Sequence, residues 1–329
     1  MLRVFMETPL IKSDATLSLG ARWWTYQRER FPLAAHAPLV LTFSASAVCF
    51  SSLLRSNEGA AADWPSLHAI GVAFACCLLM FMQLRIADEF KDYEEDLRFR
   101  PYRPVQRGLV SLRSLGVVFV MCGVMQALLT WSLAPRLLIL LLIAWTYLAL
   151  MSKEFFAPAW LKRRPIIYLF SHMCIMPLID LLATGCDWVP SAKGEPGSIA
   201  ALSVFLAASY FNGIVIEIGR KIRSPQDEET GVQTYSALWG PRMAIIAWLA
   251  AMLTCGVLAV IAAVWINAQW TVAGVAAFAW IWAAYMGRRM LANPAKGAGK
   301  SIELVSGLWT IGLYLALGLV PLLVRMVHG

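Results

Sequence analysis

Between residues 88 and 96 the chain reads Asp88-Glu89-Phe-Lys91-Asp92-Tyr-Glu94-Glu95-Asp96, directly after an apolar run. On a helix Asp88, Asp92 and Asp96 are successive i, i+4 neighbours and Glu89 adjoins them, so three carboxylates line one face. Like charges at that spacing repel, and a cation is expected among them. Oxygen donors suit a hard divalent ion such as Mg2+, which keeps several waters and takes phosphate oxygens as further ligands. Arg98, Arg100, Arg103 and Arg107 follow, and guanidinium groups hold phosphate through paired N–H donors. The bland alternative is a solvated loop in which Lys91, Arg98 and Arg100 neutralise the acids.

A second charged stretch carries Asn212 and Glu217, then Arg220-Lys221-Ile-Arg223-Ser224-Pro225-Gln-Asp227-Glu228-Glu229-Thr-Gly231. A carboxylate near a membrane span is costly unless paired or solvated, which makes Glu217 a functional candidate; its bland reading is a salt bridge to Lys221 at i+4. Ser224-Pro225-Gln-Asp227 reads as a helix start, with Ser as N-cap and Pro at the first position. Two such clusters facing each other would bind a diphosphate through bridging metal ions. Lys153 is a further candidate phosphate contact.

The elements that must position these residues are membrane helices. A span needs roughly 20 mostly apolar residues to cross a hydrocarbon core about 30 Å thick. Nine stretches qualify: Ala35–Leu53, Ser66–Leu84, Leu115–Leu133, Leu137–Met151, Ile166–Cys186, Ile199–Ile218, Met243–Trp265, Thr271–Tyr285 and Ile302–Leu323, the fourth and eighth being short. They lack the alternation of barrel strands, so the fold class is all-α, a polytopic helical bundle. With the N-terminus and the loops after spans two, four, six and eight on one side, that side holds every Lys and Arg except Arg55, Arg136, Lys193 and Arg325. The positive-inside rule makes it cytoplasmic. Both acidic loops fall there. Residues 1–34, amphipathic and basic, are expected along the cytoplasmic interface, and residues 35–329 form the membrane domain.

The 329 residues are 59% hydrophobic and 15% charged, which excludes an ordinary soluble domain. The formal net charge of +8 sits beside the spans, pointing to anionic lipid or phosphate and not to nucleic acid. The seven cysteines lie almost entirely in apolar runs without paired spacing and read as packing residues. His36, His68, His172 and His328 are scattered, so no zinc site is suggested.

These features resemble the UbiA superfamily of intramembrane prenyltransferases. Its first motif, NDxxDxxxD followed by an Arg-Pro and a Gly, is similar to Asp88-Glu89-x-x-Asp92-x-x-x-Asp96 with Arg103-Pro104 and Gly108; the first two positions are exchanged for other oxygen ligands. Tyr147 and Lys153 are similar to a Tyr and a Lys at the end of the family's fourth span. Of the second motif, DxxxD leading to Gly-x-x-Thr and a closing Gly, Asp227, Gly231, Thr234 and Gly240 match, while position 223 is Arg. The resemblance implies a UbiA-like bundle that ionises an isoprenyl diphosphate with Mg2+ and passes the prenyl group to a lipophilic, aromatic acceptor. It implies metal ligands in Asp88, Glu89, Asp92, Asp96, Glu217, Asp227 and Glu228. Arg103, Lys153, Arg220, Lys221 and Tyr147 would hold the diphosphate, with Asp92, Asp96, Lys153 and Arg103 as the catalytic set. Aromatic faces stabilise a cation, and Tyr147, Tyr168, Tyr210 and Phe211 are candidates. A UbiA-type terpene cyclase, closing the chain without an acceptor, is the alternative, and a membrane transporter is the alternative from another class.

Overall fold

The computed structural model describes residues 17–56 and 64–328, and every regular element among them is helical. In chain order the helices are α1 (Leu19–Arg30), α2 (Leu33–Ser56), α3 (Leu67–Lys91), α4 (Tyr93–Phe99), α5 (Leu112–Leu133), α6 (Leu137–Ser152), α7 (Pro158–Lys162), α8 (Pro165–Met173), α9 (Ile175–Trp188), α10 (Ile199–Arg220), α11 (Tyr235–Trp239), α12 (Pro241–Val264), α13 (Gln269–Ala292), α14 (Ala298–Leu317) and α15 (Leu319–His328). Among the described residues eight segments are long and apolar enough to cross a membrane, and α6, with 16 residues, is the shorter apolar helix that fills the fourth position. The nine expected spans are therefore all present as helices. The N-terminal part of the expected interfacial segment lies outside the described residues; α1 occupies the rest of it.

Three boundaries differ from the hydropathy pattern for identifiable reasons. The second span continues as a helix past its apolar run to Lys91, because Ala87 to Lys91 keep the backbone ladder running, and Asp92 and Asp96 still donate to Asp88 and Asp92 carbonyls at 2.9 and 2.8 Å. The fifth span breaks at Cys174. Pro177 lacks the N–H that Met173 would receive one turn earlier, and its ring crowds that carbonyl. The last span breaks at Gly318, where Pro321 withholds the same bond from Leu317 and an added Cβ would collide with the Ser46 backbone of α2.

Lipid gives helices no hydrophobic reason to associate, so small residues and buried polar pairs carry the packing. Trp248 donates to Ser306 at 2.9 Å, Thr310 to Asn212 at 3.1 Å and Tyr314 to Asp180 at 2.5 Å, linking α12, α10 and α9 to α14. Such bonds are worth about 0.6–2 kcal/mol each. The outer face of α5, with Val117, Val120, Met121, Val124 and Leu128, stays exposed as a surface for lipid tails.

The two ends of the bundle differ in chemistry. At one end Arg107 pairs with Glu29 and Lys162 with Glu95, Tyr102 donates to Glu229, and the Gly297 N–H donates to Asp227, so the polar loops after α3, α6, α10 and α13 are stitched together. At the other end Arg55 grips Asp187 through two N–H groups at 2.9 and 2.6 Å, with Ser51 donating to the same carboxylate.

Candidate active site

The first acidic stretch straddles the junction of α3 and α4. Asp88 is partly exposed and lies 3.8 Å from both Arg85 and Lys91. Asp92 caps α3 at the bend. Burial, reinforced by Asp88, Asp96 and Glu95 against the opposing pull of Lys91, raises its carboxyl to about 6.

The other two acids turn elsewhere. Glu89 is fully buried and accepts from Arg30 Nε of α1 at 2.5 Å. Asp96, also fully buried, meets Arg100 at 3.1 Å and Arg103 in a close pair. Burial and the neighbouring Arg30 lower the Arg103 pKa against the pull of Asp96. The three aspartates therefore do not present one open stripe: Asp88 and Asp92 remain available, while Asp96 and Glu89 anchor arginines.

The second stretch begins inside α10. Glu217 accepts from Arg220 at 2.5 Å and Lys221 at 2.8 Å, so the i+4 pairing read as its bland role is present with an i+3 partner besides. Ser224 to Asp227 form a single 3-10 turn, with the Ser224 hydroxyl donating to Asp227 at 2.5 Å. That bond and the Gly297 N–H hold the Asp227 carboxyl below the usual range. Glu228 accepts from Thr234 and Ser236 hydroxyls at 2.7 to 2.8 Å, and Thr234 in turn caps α11. Gly231 has φ +79° and its backbone lies against the Phe99 ring, where any Cβ would clash. The second loop thus seats directly on α4.

Between the two clusters stand α8 and the turn after α6. Lys91 Nζ donates to Tyr168 at 2.7 Å, and Tyr168 stacks on His172 with centroids 3.8 Å apart. Asp88 acts electrostatically on Arg220, and Asp88 and Glu217 both act on His172. The two charged stretches touch through Tyr102 with Glu229 and through Gly231 on the Phe99 ring, while Asp88 and Glu217 are near enough to act on the same histidine. Lys153 ends α6 and shares with Lys91 a cavity of about 330 Å3 that Phe90, Gly116 and Phe119 complete.

The turn after Lys153 is unusual. Glu154, Phe155 and Phe156 have φ of +46°, +52° and +59°, left-handed values costing non-glycine residues about 1–3 kcal/mol each. The conformation sets Phe155 edge-on to Tyr147 and His172, at 5.6 and 6.0 Å. Tyr147 donates to the Ser171 carbonyl and lines, with Cys174 and Pro177, an apolar groove of about 660 Å3 between α6 and the α8–α9 break. Tyr210 donates to the Phe170 carbonyl and stands edge-on to Phe211.

Among the described residues no three His, Cys, Asp or Glu side chains already converge as a cage for a metal. His172 and the left-handed turn were not singled out from sequence; a lone histidine and an unremarkable Glu-Phe-Phe carry no spacing signal.

Residues 59–302 match the UbiA prenyltransferase family. The chain belongs to that family. Among solved structures the fold is similar to a UbiA homologue from Aeropyrum pernix K1 in its apo state, with a TM-score of 0.61 at 14% identity, over 87% of this chain and 98% of that one. It is also similar to a digeranylgeranylglyceryl phosphate synthase, with a TM-score of 0.51 at 15% identity, over 90% of this chain and 97% of that one. No curated protein matches the sequence. These likenesses establish the UbiA bundle and an integral-membrane protein of the prenyltransferase type.

Proposed function

We infer that this UbiA-family protein ionises an isoprenyl diphosphate at the charged end of its bundle and transfers the prenyl group to a lipophilic, aromatic acceptor. The observation that supports the reading is that the two charged loops touch at the polar end of an apolar bundle, Tyr102 donating to Glu229 and Gly231 packing on Phe99, with Asp88 acting electrostatically on Arg220 and His172. A diphosphate needs cations and donors at that point, and its tail needs an apolar interior.

The residues fit Mg2+. Asp88 and Asp92 are oxygen donors, and Asp92 sits half-buried with three acidic neighbours, an arrangement a divalent cation relieves. Glu89, Asp96, Glu217, Asp227 and Glu228 join such a site only by exchanging their present arginine, lysine or hydroxyl partners. Bound there, Mg2+ would neutralise negative charge gathering on the departing diphosphate. Lys91, Lys153, Arg220 and Lys221 supply fixed positive charge for the same purpose, and Arg103 joins them if it leaves Asp96. The bundle excludes water, and the rings of Tyr147, Phe155 and Tyr168 offer faces to an allyl cation. The basic end faces the cytoplasm by the positive-inside rule.

Terpene cyclisation shares the ionisation step and differs only in needing no acceptor. The test is incubation of purified protein with Mg2+ and prenyl diphosphates of ten to twenty carbons, with and without lipid-soluble acceptors. Diphosphate release that disappears with EDTA and in Asp92→Ala supports the reading, and acceptor-dependent products distinguish transfer from cyclisation. No release from any donor refutes it.

A further inference from the structure

Ionisation leaves a proton to be placed. When the C1–O bond breaks, its electron pair departs with the diphosphate and an allyl cation remains. A cation that bonds to an aromatic carbon, or closes on its own double bond and ends as an alkene, must then shed a proton from carbon. That proton needs an acceptor inside the dry bundle, and the nearby carboxylate of Glu217 is already committed to two cations.

His172 meets the requirement by geometry. It is 6% exposed on α8, and its Nδ1 lies 2.9 Å from the Tyr168 carbonyl oxygen. A carbonyl only accepts, so the ring proton resides on Nδ1 and Nε2 keeps its lone pair. Nε2 is buried without a hydrogen-bond partner. Such an atom in a native core calls for an explanation. The ring cannot drift, because Tyr168 stacks on it with planes 12° apart and Phe155, presented by the left-handed turn, meets it edge-on. The charges acting on it come from Lys91 and Asp88 on α3 and from Glu217 on α10.

We propose that His172 Nε2 is the base that takes the proton expelled from carbon after the cation is captured. The ring becomes an imidazolium held by its Nδ1–H on the Tyr168 carbonyl, with Asp88 and Glu217 offsetting part of the repulsion from Lys91, and it returns the proton to water at the charged end when product leaves. The assignment rests on the reading that the protein ionises an isoprenyl diphosphate. It is independent of whether the cation is captured by an acceptor or by its own chain, because both routes release one proton.

The experiment uses the full chain in lipid nanodiscs with Mg2+, farnesyl and geranylgeranyl diphosphates, and 4-propylphenol present or absent, comparing wild type with His172→Gln and Glu154→Gln. Two quantities are followed: diphosphate released, and the ratio of products that have lost a proton from carbon to prenyl alcohols formed by water capture. General-base removal costs about 10²–10⁴-fold, so His172→Gln should lower that ratio at least about tenfold while release stays within about threefold of wild type. Retained release also shows that the variant is folded. An unchanged ratio, a parallel fall of release and products, or a shift produced by Glu154→Gln in place of His172→Gln overturns the assignment. Wild-type release that yields only alcohol overturns it while leaving the ionisation reading intact, whereas absence of release defeats both.

Discussion

Arg30 of α1 reaches Glu89 of α3 at 2.5 Å, across 59 residues of chain, the carboxylate fully buried and the guanidinium half-buried. The pair clamps the amphipathic N-terminal helix onto the helix that bears the first acidic motif. Removing one partner of a buried ion pair strands the other and costs about 3–5 kcal/mol, whereas replacing both with apolar residues is often neutral. Arg30→Ala should therefore destabilise the protein by about 3 kcal/mol in detergent unfolding. The double variant Arg30→Leu with Glu89→Leu should recover most of that loss; no recovery would mean that Glu89 has a role beyond the clamp.

Asp92 sets an expected pH limit. Its carboxyl is raised to about 6 by burial and acidic neighbours, so in the absence of metal it is protonated below that value and ionised above it. A raised acid favours the protonated folded state, so its stability contribution is fully present below the unfolded value and is lost as pH rises through about 6. Metal binding runs the other way and weakens as pH falls through the same range. Diphosphate release measured at limiting Mg2+ should fall below about pH 6, with saturating Mg2+ moving the inflection to lower pH. An inflection that ignores Mg2+ concentration would assign it to another group.

Lys91 and Lys153 share one cavity wall. A hydrogen bond to a charged group contributes about 1.5–3 kcal/mol, so Lys91→Met or Lys153→Met should raise the donor KM by about 10- to 100-fold. Lys91→Met should also loosen Tyr168, its hydroxyl partner at 2.7 Å, and so lower kcat as well. Equal KM and kcat in the Lys153 variant would remove that residue from the donor site.

Gly231 and Gly240 both have φ of +79°, but only Gly231 lies against an aromatic ring. Alanine at either position is strained by about 1–3 kcal/mol; at Gly231 it must also push Phe99 and α4 away. Gly231→Ala should reduce diphosphate release below Gly240→Ala by about tenfold, because the overpacking cost of roughly 1–3 kcal/mol falls at Gly231 alone. Similar activities in the two variants would show that seating the second loop on α4 is dispensable.

The spans were legible because apolar runs of the right length have few alternatives in a bilayer. The breaks at Cys174 and Gly318 were harder to see. Pro177 and Pro321 mark them locally, but a proline inside a span can also be absorbed as a kink, and the closeness of Gly318 to Ser46 joins residues from opposite ends of the chain. The acidic residues were legible as a group and not individually. Spacing put Asp88, Asp92 and Asp96 on one face, yet whether a carboxylate stays available depends on which arginine reaches it, and Arg30 and Arg103 arrive from other elements. The environment of His172 is least local of all. Its tautomer comes from a carbonyl one turn away, its rigidity from a strained turn after α6, and its charges from α3 and α10.

The stitching of the polar end has a consequence for biogenesis. Its ties run from Arg30 through Glu89, Tyr102 and Glu229, and on from Asp227 to Gly297, so nearly the full chain must be in the membrane before the network can close. A chain halted after its first six spans has the aspartates of α3 and the cations of α10 but not the Gly297 turn that secures the loop after α10. Closure of the polar end is therefore a late event in synthesis, waiting on the turn that carries Gly297.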